Sequence, residues 1–167
     1  DYLVSDTGVS TSAVITSIGS VHSGDTKSSF GQMKFSPNGK KIGLVIPSGQ
    51  KAELFNFDNT TGILSNYVDL GLSTYYYGCS FSSNSKLFYT GDATNNSTNP
   101  NANTIYQFDV TAVNIPASKT LIAKGFPDRS LIMALQLAPD GKIYIARSPN
   151  MYSGEVQNYL SVINKPN

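Results

Sequence analysis

A chain of 167 residues with 40% apolar content has the length and the material for one ordinary domain with a real core. Only 14% of its residues are charged and the formal net charge is +1, against roughly 25% charged residues in a typical soluble domain; Ser, Thr and Asn do the solubilising, and the basic excess that draws nucleic acid or an acidic membrane surface is missing. Cys79 is the only cysteine, which excludes an intrachain disulfide and a Cys-x-x-Cys metal site, and no apolar run approaches the roughly 18 residues that span a membrane.

Taken from the N-terminus, the chain reads as strand after strand. Asp1-Tyr2-Leu3-Val4 lacks the pattern of a signal peptide and reads as a cut or mature end. Tyr2–Ser5 and Ala13–Ile18 are expected to pair. A four-strand unit is then predicted over Phe30–Phe35, Ile42–Ile46, Glu53–Phe57 and Ile63–Leu70. A second covers Tyr76–Phe81, Lys86–Thr90, Thr104–Phe108 and Thr120–Ala123. A third starts with Leu131–Leu137 and Ile143–Ala146 and stops inside its third strand, at Leu160–Ile163. These runs are rich in β-branched and aromatic residues and are bounded by Gly, Pro, Asn or Ser clusters. No segment keeps a 3.6-residue apolar period beyond two turns, so helices are expected to be nearly absent.

Two repeated marks set the spacing. Phe35-Ser36-Pro37-Asn38-Gly39-Lys40 returns as Phe81-Ser82-Ser83-Asn84-Ser85-Lys86 and as Leu137-Ala138-Pro139-Asp140-Gly141-Lys142. Each copy joins two apolar runs through a tight turn in which Pro presets φ, Asn or Asp follows and Gly takes the positive-φ position. The middle copy has Ser83 and Ser85 for Pro and Gly, which puts its turn geometry in question. The second mark, seen in Leu54-Phe55-Asn56-Phe57-Asp58 and Ile105-Tyr106-Gln107-Phe108-Asp109, places Asp6, Asp58, Asp109 and Asn164 at steps of 52, 51 and 55 residues. A period near 50 with two hairpins per unit is the mark of a β-propeller, whose blades are four-stranded antiparallel meanders.

The chain is therefore expected to be all-β, a fragment (1–19), a blade (30–70), a second blade (76–123) and a partial blade (131–167) of one propeller domain. Thirteen strands make an incomplete arc of about three to four blades, whereas propellers close with roughly four to eight. An open arc leaves unpaired edges and exposed apolar faces, so the remaining blades are expected from further sequence, from a partner chain or from another copy.

In a meander the connections alternate between the two ends of the blade. The first-to-second and third-to-fourth turns, such as 36–40, 58–62, 82–85 and 138–141, are short and stereotyped. The connections at the other end, at 20–29, 47–50, 71–75, 91–103, 124–129 and 147–157, vary in length and chemistry, and variable loops on a rigid scaffold are where binding usually sits. Candidate binding residues on that loop face are Tyr75, Tyr76, Tyr77, Asn101, Arg129, Arg147 and Tyr152. Tyrosine offers a flat ring with a polar tip to a sugar or an aromatic ligand; the alternative is packing against a neighbouring blade. Arg129 and Arg147, the only arginines, could clamp a carboxylate or phosphate, or simply serve local loop contacts. The Asn-rich stretch 94–103 reads as a flexible insertion before it reads as a glycan or calcium site, since only Asp92 is near.

No catalytic set emerges. His22, the only histidine, lies beside Asp25 but has no second histidine for a metal and no serine in a nucleophile-elbow context. Asn38, Asp58, Asp109 and Asp140 occupy repeated turn positions, where a side-chain oxygen accepts backbone N–H groups. Cys79, between Tyr77, Gly78 and Phe81, reads as an inert core thiol. No catalytic residue, metal ligand or cofactor is assigned.

The Phe35-to-Ile42 and Leu137-to-Tyr144 hairpins resemble the TolB-like and YVTN-type propeller repeats, which carry a Phe-Ser-Pro-Asp-Gly-Lys hairpin. Leu54-to-Asn66, Leu135-to-Ala146 and Leu160-to-Asn167 are similar to the propeller region of large secreted and surface proteins of Bacteroidetes, which carry PKD-type domains and a sorting signal for type IX secretion. That resemblance implies a protein secreted or held at the cell surface and brings no catalytic residues with it. YVTN-type propellers also include lactone hydrolases. Three functions stay open: a non-enzymatic module that binds protein or polysaccharide, a lactonase-like or other hydrolase with an axial metal, and a purely structural part of a surface assembly.

Overall fold

A computed structural model describes residues 2–22, 30–71, 75–93, 103–125, 130–148 and 158–167. Among them, thirteen strands form four antiparallel sheets. β1 (Tyr2–Ser5) and β2 (Gly8–Ala13) form a hairpin. β3 (Met33–Phe35), β4 (Lys41–Ile46), β5 (Lys51–Asp58) and β6 (Ile63–Asp69) make the first four-stranded meander. β7 (Tyr76–Phe81), β8 (Leu87–Asp92), β9 (Thr104–Asp109) and β10 (Thr120–Lys124) make the second. β11 (Leu131–Leu137), β12 (Ile143–Ser148) and β13 (Ser161–Ile163) make a three-stranded sheet. The helical content of these residues is one 3-10 turn at Pro116–Ser118, between β9 and β10. This is a propeller-like fold with partial blades.

Two apolar clusters hold the sheets face to face. Val45, Ala52 and Leu54 of the first meander pack with Cys79, Phe81, Phe88 and Phe108 of the second, and all seven are buried. Tyr89 and Ile105 of the second pack with Ile132, Leu135, Ile143 and Ile145 of the third. A fully buried side chain of this size contributes about 1.5–3 kcal/mol, so these clusters bind neighbouring sheets firmly to each other. β7 is the most enclosed strand, with β3 and β4 on one side and β11 on the other.

Glycine sets how closely the sheets approach. Gly78 and Gly91 are cross-strand partners on β7 and β8. A Cβ on Gly78 would fall 1.9 Å from the Met133 carbonyl oxygen, and one on Gly91 would fall 2.2 Å from Ile132 Cγ2. Gly43 on β4 likewise lies under the ring of Phe88, 2.1 Å from where its own Cβ would be. Bare backbone at these points admits the neighbouring sheet.

The turn repeat keeps one core in its three copies, with the third a residue shorter: the Ser36 and Ser82 N–H groups donate to the carbonyl five residues on, and the Ala138 N–H to the carbonyl four residues on. Ser36 Oγ accepts the Lys41 N–H at 2.9 Å and Ser82 Oγ accepts the Leu87 N–H at 3.0 Å. Asn38, Asn84 and Asp140 accept the N–H two residues on, at 3.1, 3.0 and 3.1 Å. Gly39, Ser85 and Gly141 take φ values of 68°, 63° and 77°, so the middle copy makes the same turn without glycine. Ser85 has a compensating contact: its hydroxyl accepts the Asn38 N–H of the preceding turn at 3.0 Å, joining the two hairpins.

Two expectations are corrected. β2 spans Gly8–Ala13 rather than 13–18, because a two-residue turn at Asp6–Thr7 closes at once onto Gly8, with φ 121°, and pairs Ser5 with Gly8 and Tyr2 with Ala13. β3 starts at Met33 rather than Phe30. Gly31 turns the chain at φ 115°, and the Gln32 N–H donates to Tyr77 C=O of the next sheet at 3.1 Å.

Candidate functional site

The loop face carries fewer free groups than its sequence promises. Tyr76 is 1% exposed and belongs to the core between the first two meanders, so it is not a surface binding residue. It faces inward because the enclosed β7 is covered on both sides, which removes the alternation that would give one wet face. Tyr75 and Tyr77 are partly exposed, and their carbonyls accept the Ala93 and Gln32 N–H groups at 2.7 and 3.1 Å. Arg147, at the loop end of β12, donates to Ser130 Oγ at 2.9 Å, and its guanidinium lies 5.0 Å from the centre of the Tyr159 ring. Asn101, Arg129, Tyr152, Asp25 and residues 94–102 of the Asn-rich stretch lie outside the described residues. His22 is exposed.

Near the inner strands, polar groups bridge the sheets. The Gln32 side-chain oxygen accepts the Cys79 N–H at 3.1 Å and the Leu135 N–H at 3.2 Å. One amide thus joins β7 and β11 to the segment leading into β3. Two residues on, Lys34 Nζ donates to Gln136 Oε1 at 2.6 Å. Sequence reasoning missed all three residues, because the partners are 47 to 103 positions apart.

The Cys79 thiol is completely buried, and burial pushes its pKa up to about 12. The phenol of Tyr89, whose O–H donates to Gln107 Oε1 at 2.7 Å with the Pro166 carbonyl also within reach at 3.1 Å, is also pushed up to about 12 by burial. Both groups ionise in the unfolded chain first, near pH 9 and 10. The unfolded state then holds fewer protons, and stability falls as pH rises from about 9 to 12, by up to ~1.4 kcal/mol per unit for each group. Thiol titration with Ellman's reagent at pH 8 is expected to find no reactive cysteine in the folded protein and one in denaturant. In Cys79→Ala the loss of stability is expected to start about one pH unit later.

The turn carboxylates do the work read from their positions. Asp58 Oδ1 accepts the Thr60 N–H at 2.8 Å and the Thr61 N–H at 3.3 Å, and hydrogen bonds to Thr60 first, then Thr61, hold its pKa below the usual range. Asp109 Oδ1 accepts from the Thr111 hydroxyl at 2.6 Å and the Thr111 N–H at 2.8 Å, which lowers its pKa in the same way. Among the described residues no three His, Cys, Asp or Glu side chains form a group that could hold a metal ion.

Two cavities open at the turn end of the blades. One, of about 480 Å³, lies between the β1–β2 hairpin and the β5–β6 turn, with Tyr2, Ser12, Val14, Phe57 and Asn59 among its walls. The other, of about 630 Å³, lies where the first two turn hairpins meet and is lined by Lys40, Lys41, Lys86, Asn38, Asn56 and Asn84, among others. Phe57 and Asn59 border both. Lys41 Nζ donates to Asn56 Oδ1 at 2.8 Å, and burial lowers its pKa.

The sequence matches no family model and no curated protein. Solved structures share the fold. The PQQ domain of pyranose dehydrogenase from Coprinopsis cinerea aligns with a TM-score of 0.60 at 16% identity, over 97% of this chain and 42% of that one. A protein from Lactobacillus plantarum aligns at 0.55 and 20% identity, over 99% and 48%. A protein from Bacteroides uniformis provisionally described as a 6-phosphogluconolactonase aligns at 0.56 and 16%, over 99% and 50%. The chain spans half or less of the length of each of these propeller proteins.

Proposed function

We propose that this chain is a recognition arc of a larger β-propeller, in an exported protein held at or near the cell surface, and that it binds a protein or polysaccharide without turning it over. The observation that carries this reading is the use made of the polar groups near the inner strands. Gln32, Lys34 and Gln136 bond to one another's sheets and to backbone, so the groups nearest the position of a propeller's central site act as ties. The resemblance of residues 54–66, 135–146 and 160–167 to surface propellers of Bacteroidetes supports the exported setting. On this reading the remaining blades would come from further sequence, a partner chain or another copy, and Tyr75, Tyr77 and Arg147 are the described loop-face residues that would meet a partner there.

A second reading, a lactonase-like hydrolase, is favoured by the fold shared with the Bacteroides uniformis protein. The two separate in one experiment. A panel of sugar lactones with and without added divalent cations, run beside a glycan array, is expected to give binding and no hydrolysis above the buffer rate. Cation-dependent lactone opening would overturn the recognition reading.

A further inference from the structure

We propose that the groove between the first two turn hairpins binds an acidic polysaccharide, one whose sugars carry carboxylates; this rests on the recognition reading above and assigns it a second contact surface, at the turn end of the blades.

The chain has 12 Lys and Arg in 167 residues, yet three lysines, at 40, 41 and 86, line this single groove. The only carboxylate in the lining is Asp58, which keeps its charge while it accepts the Thr60 and Thr61 N–H groups, and Asp109 is close enough to attract Lys86, so three ammonium groups stand against two carboxylates. The groove therefore presents an excess of ammonium charge in a protein otherwise poor in charge, which selects for anions. Asn38, Asn56 and Asn84 stand beside the lysines; their side-chain oxygens are taken up within the turns and by Lys41, and their NH2 groups are the donors offered to sugar hydroxyl and carboxylate oxygens. Phe57, also in the lining, supplies the apolar ring that a sugar face packs against. Ammonium, amide and aromatic ring together fit a carboxylated sugar better than a bare inorganic anion.

The site is also built. Lys40 and Lys86 hold the same position in successive turn repeats, and their carbonyls accept the Phe57 and Val110 N–H groups at 2.8 and 2.9 Å. The Asn38–Ser85 bond fixes one hairpin against the other. The two lysine backbones are thus set at a fixed separation before any ligand arrives, which lowers the ordering cost of binding. A volume of about 630 Å³ is in the range of ligand sites, roughly 300–1,000 Å³. The neighbouring cavity shares Phe57 and Asn59 with it, so an extended chain of sugars can continue from one into the other.

The test is titration calorimetry of the full chain with an oligomer of galacturonic acid, beside a neutral oligosaccharide of equal length and single-stranded DNA of equal charge. Binding of the uronate oligomer is expected, weakening as salt rises and falling at least tenfold in Lys40→Gln/Lys86→Gln, with recovery in Lys40→Arg/Lys86→Arg. Both lysines are exposed, and an unchanged melting temperature shows that the variants fold. Equal binding by the Lys40→Gln/Lys86→Gln variant, or DNA binding as tight as uronate binding, overturns the proposal. If uronate binding is lost instead in Arg147→Ala or Tyr75→Ala, or only a neutral glycan or a protein binds, this groove assignment fails and the recognition reading survives. Lactone turnover would overturn both.

Discussion

Gly78→Ala is expected to destabilise the protein by more than about 3 kcal/mol, enough to remove more than half of its stability if that is near the low end of the usual 5–15 kcal/mol range. The added methyl would sit 1.9 Å from a backbone oxygen, that of Met133, and 2.8 Å from Leu135 Cδ1. A clash with a side-chain tip is relieved by a rotamer change, but this one requires β11 to move away from β7. That movement would also open the packing of Ile132 and Leu135, both fully buried. Gly91→Ala, directly across the pair and against the stiff β-branched Ile132, is expected to cost about 1–3 kcal/mol. Gly49→Ala, whose methyl would meet only Ile46 Cγ2 at 3.3 Å, is expected to stay within about 1 kcal/mol. Urea melts followed by circular dichroism rank the three.

The second large effect is at Gln32. Replacement by Leu keeps the volume close and removes the acceptor of two N–H groups, on residues that are themselves 0% exposed. An unsatisfied buried donor costs about 1–3 kcal/mol, so Gln32→Leu is expected to lose about 2–6 kcal/mol and to loosen β11 from β7. Gln32→Glu keeps an acceptor in the same place, with Lys34 two residues on, and is expected to retain at least half of that stability. If both variants melt with the wild type, the amide is not a tie between sheets.

Much of this fold was legible because turn chemistry is local. Pro, then Asn or Asp, then Gly at successive positions of residues 36–40 and 138–142 dictate a tight turn by their own torsional preferences, and the spacing of three copies then gave blades and strand order. The acidic marks were read correctly for the same reason, since Asp58 and Asp109 bond within two or three residues of themselves. β2 begins sooner than expected because Gly8 closes the first hairpin at once.

The contacts between sheets were not legible. Gly78 reads as a weak strand residue until β11 lies across it. Gln32 and Leu135 are 103 positions apart, and Lys40 and Lys86 share a groove only because successive blades bring equivalent turns side by side. Tyr76 illustrates the limit most clearly. Three consecutive tyrosines place side chains on both faces of a strand, and which face is wet depends on whether a second sheet covers it. That decision belongs to the packing, where β7 is enclosed from both sides.

The account depends most on the inner-strand polar groups being ties between blades. Amide hydrogen exchange, read by NMR in the native protein, measures this directly at the Cys79 and Leu135 N–H groups. Both are predicted to exchange only through global unfolding, among the slowest amides in the chain, and to speed up together in Gln32→Leu. Rapid exchange of either amide under native conditions would contradict the tie and, with it, the reading of the inner strands as scaffold.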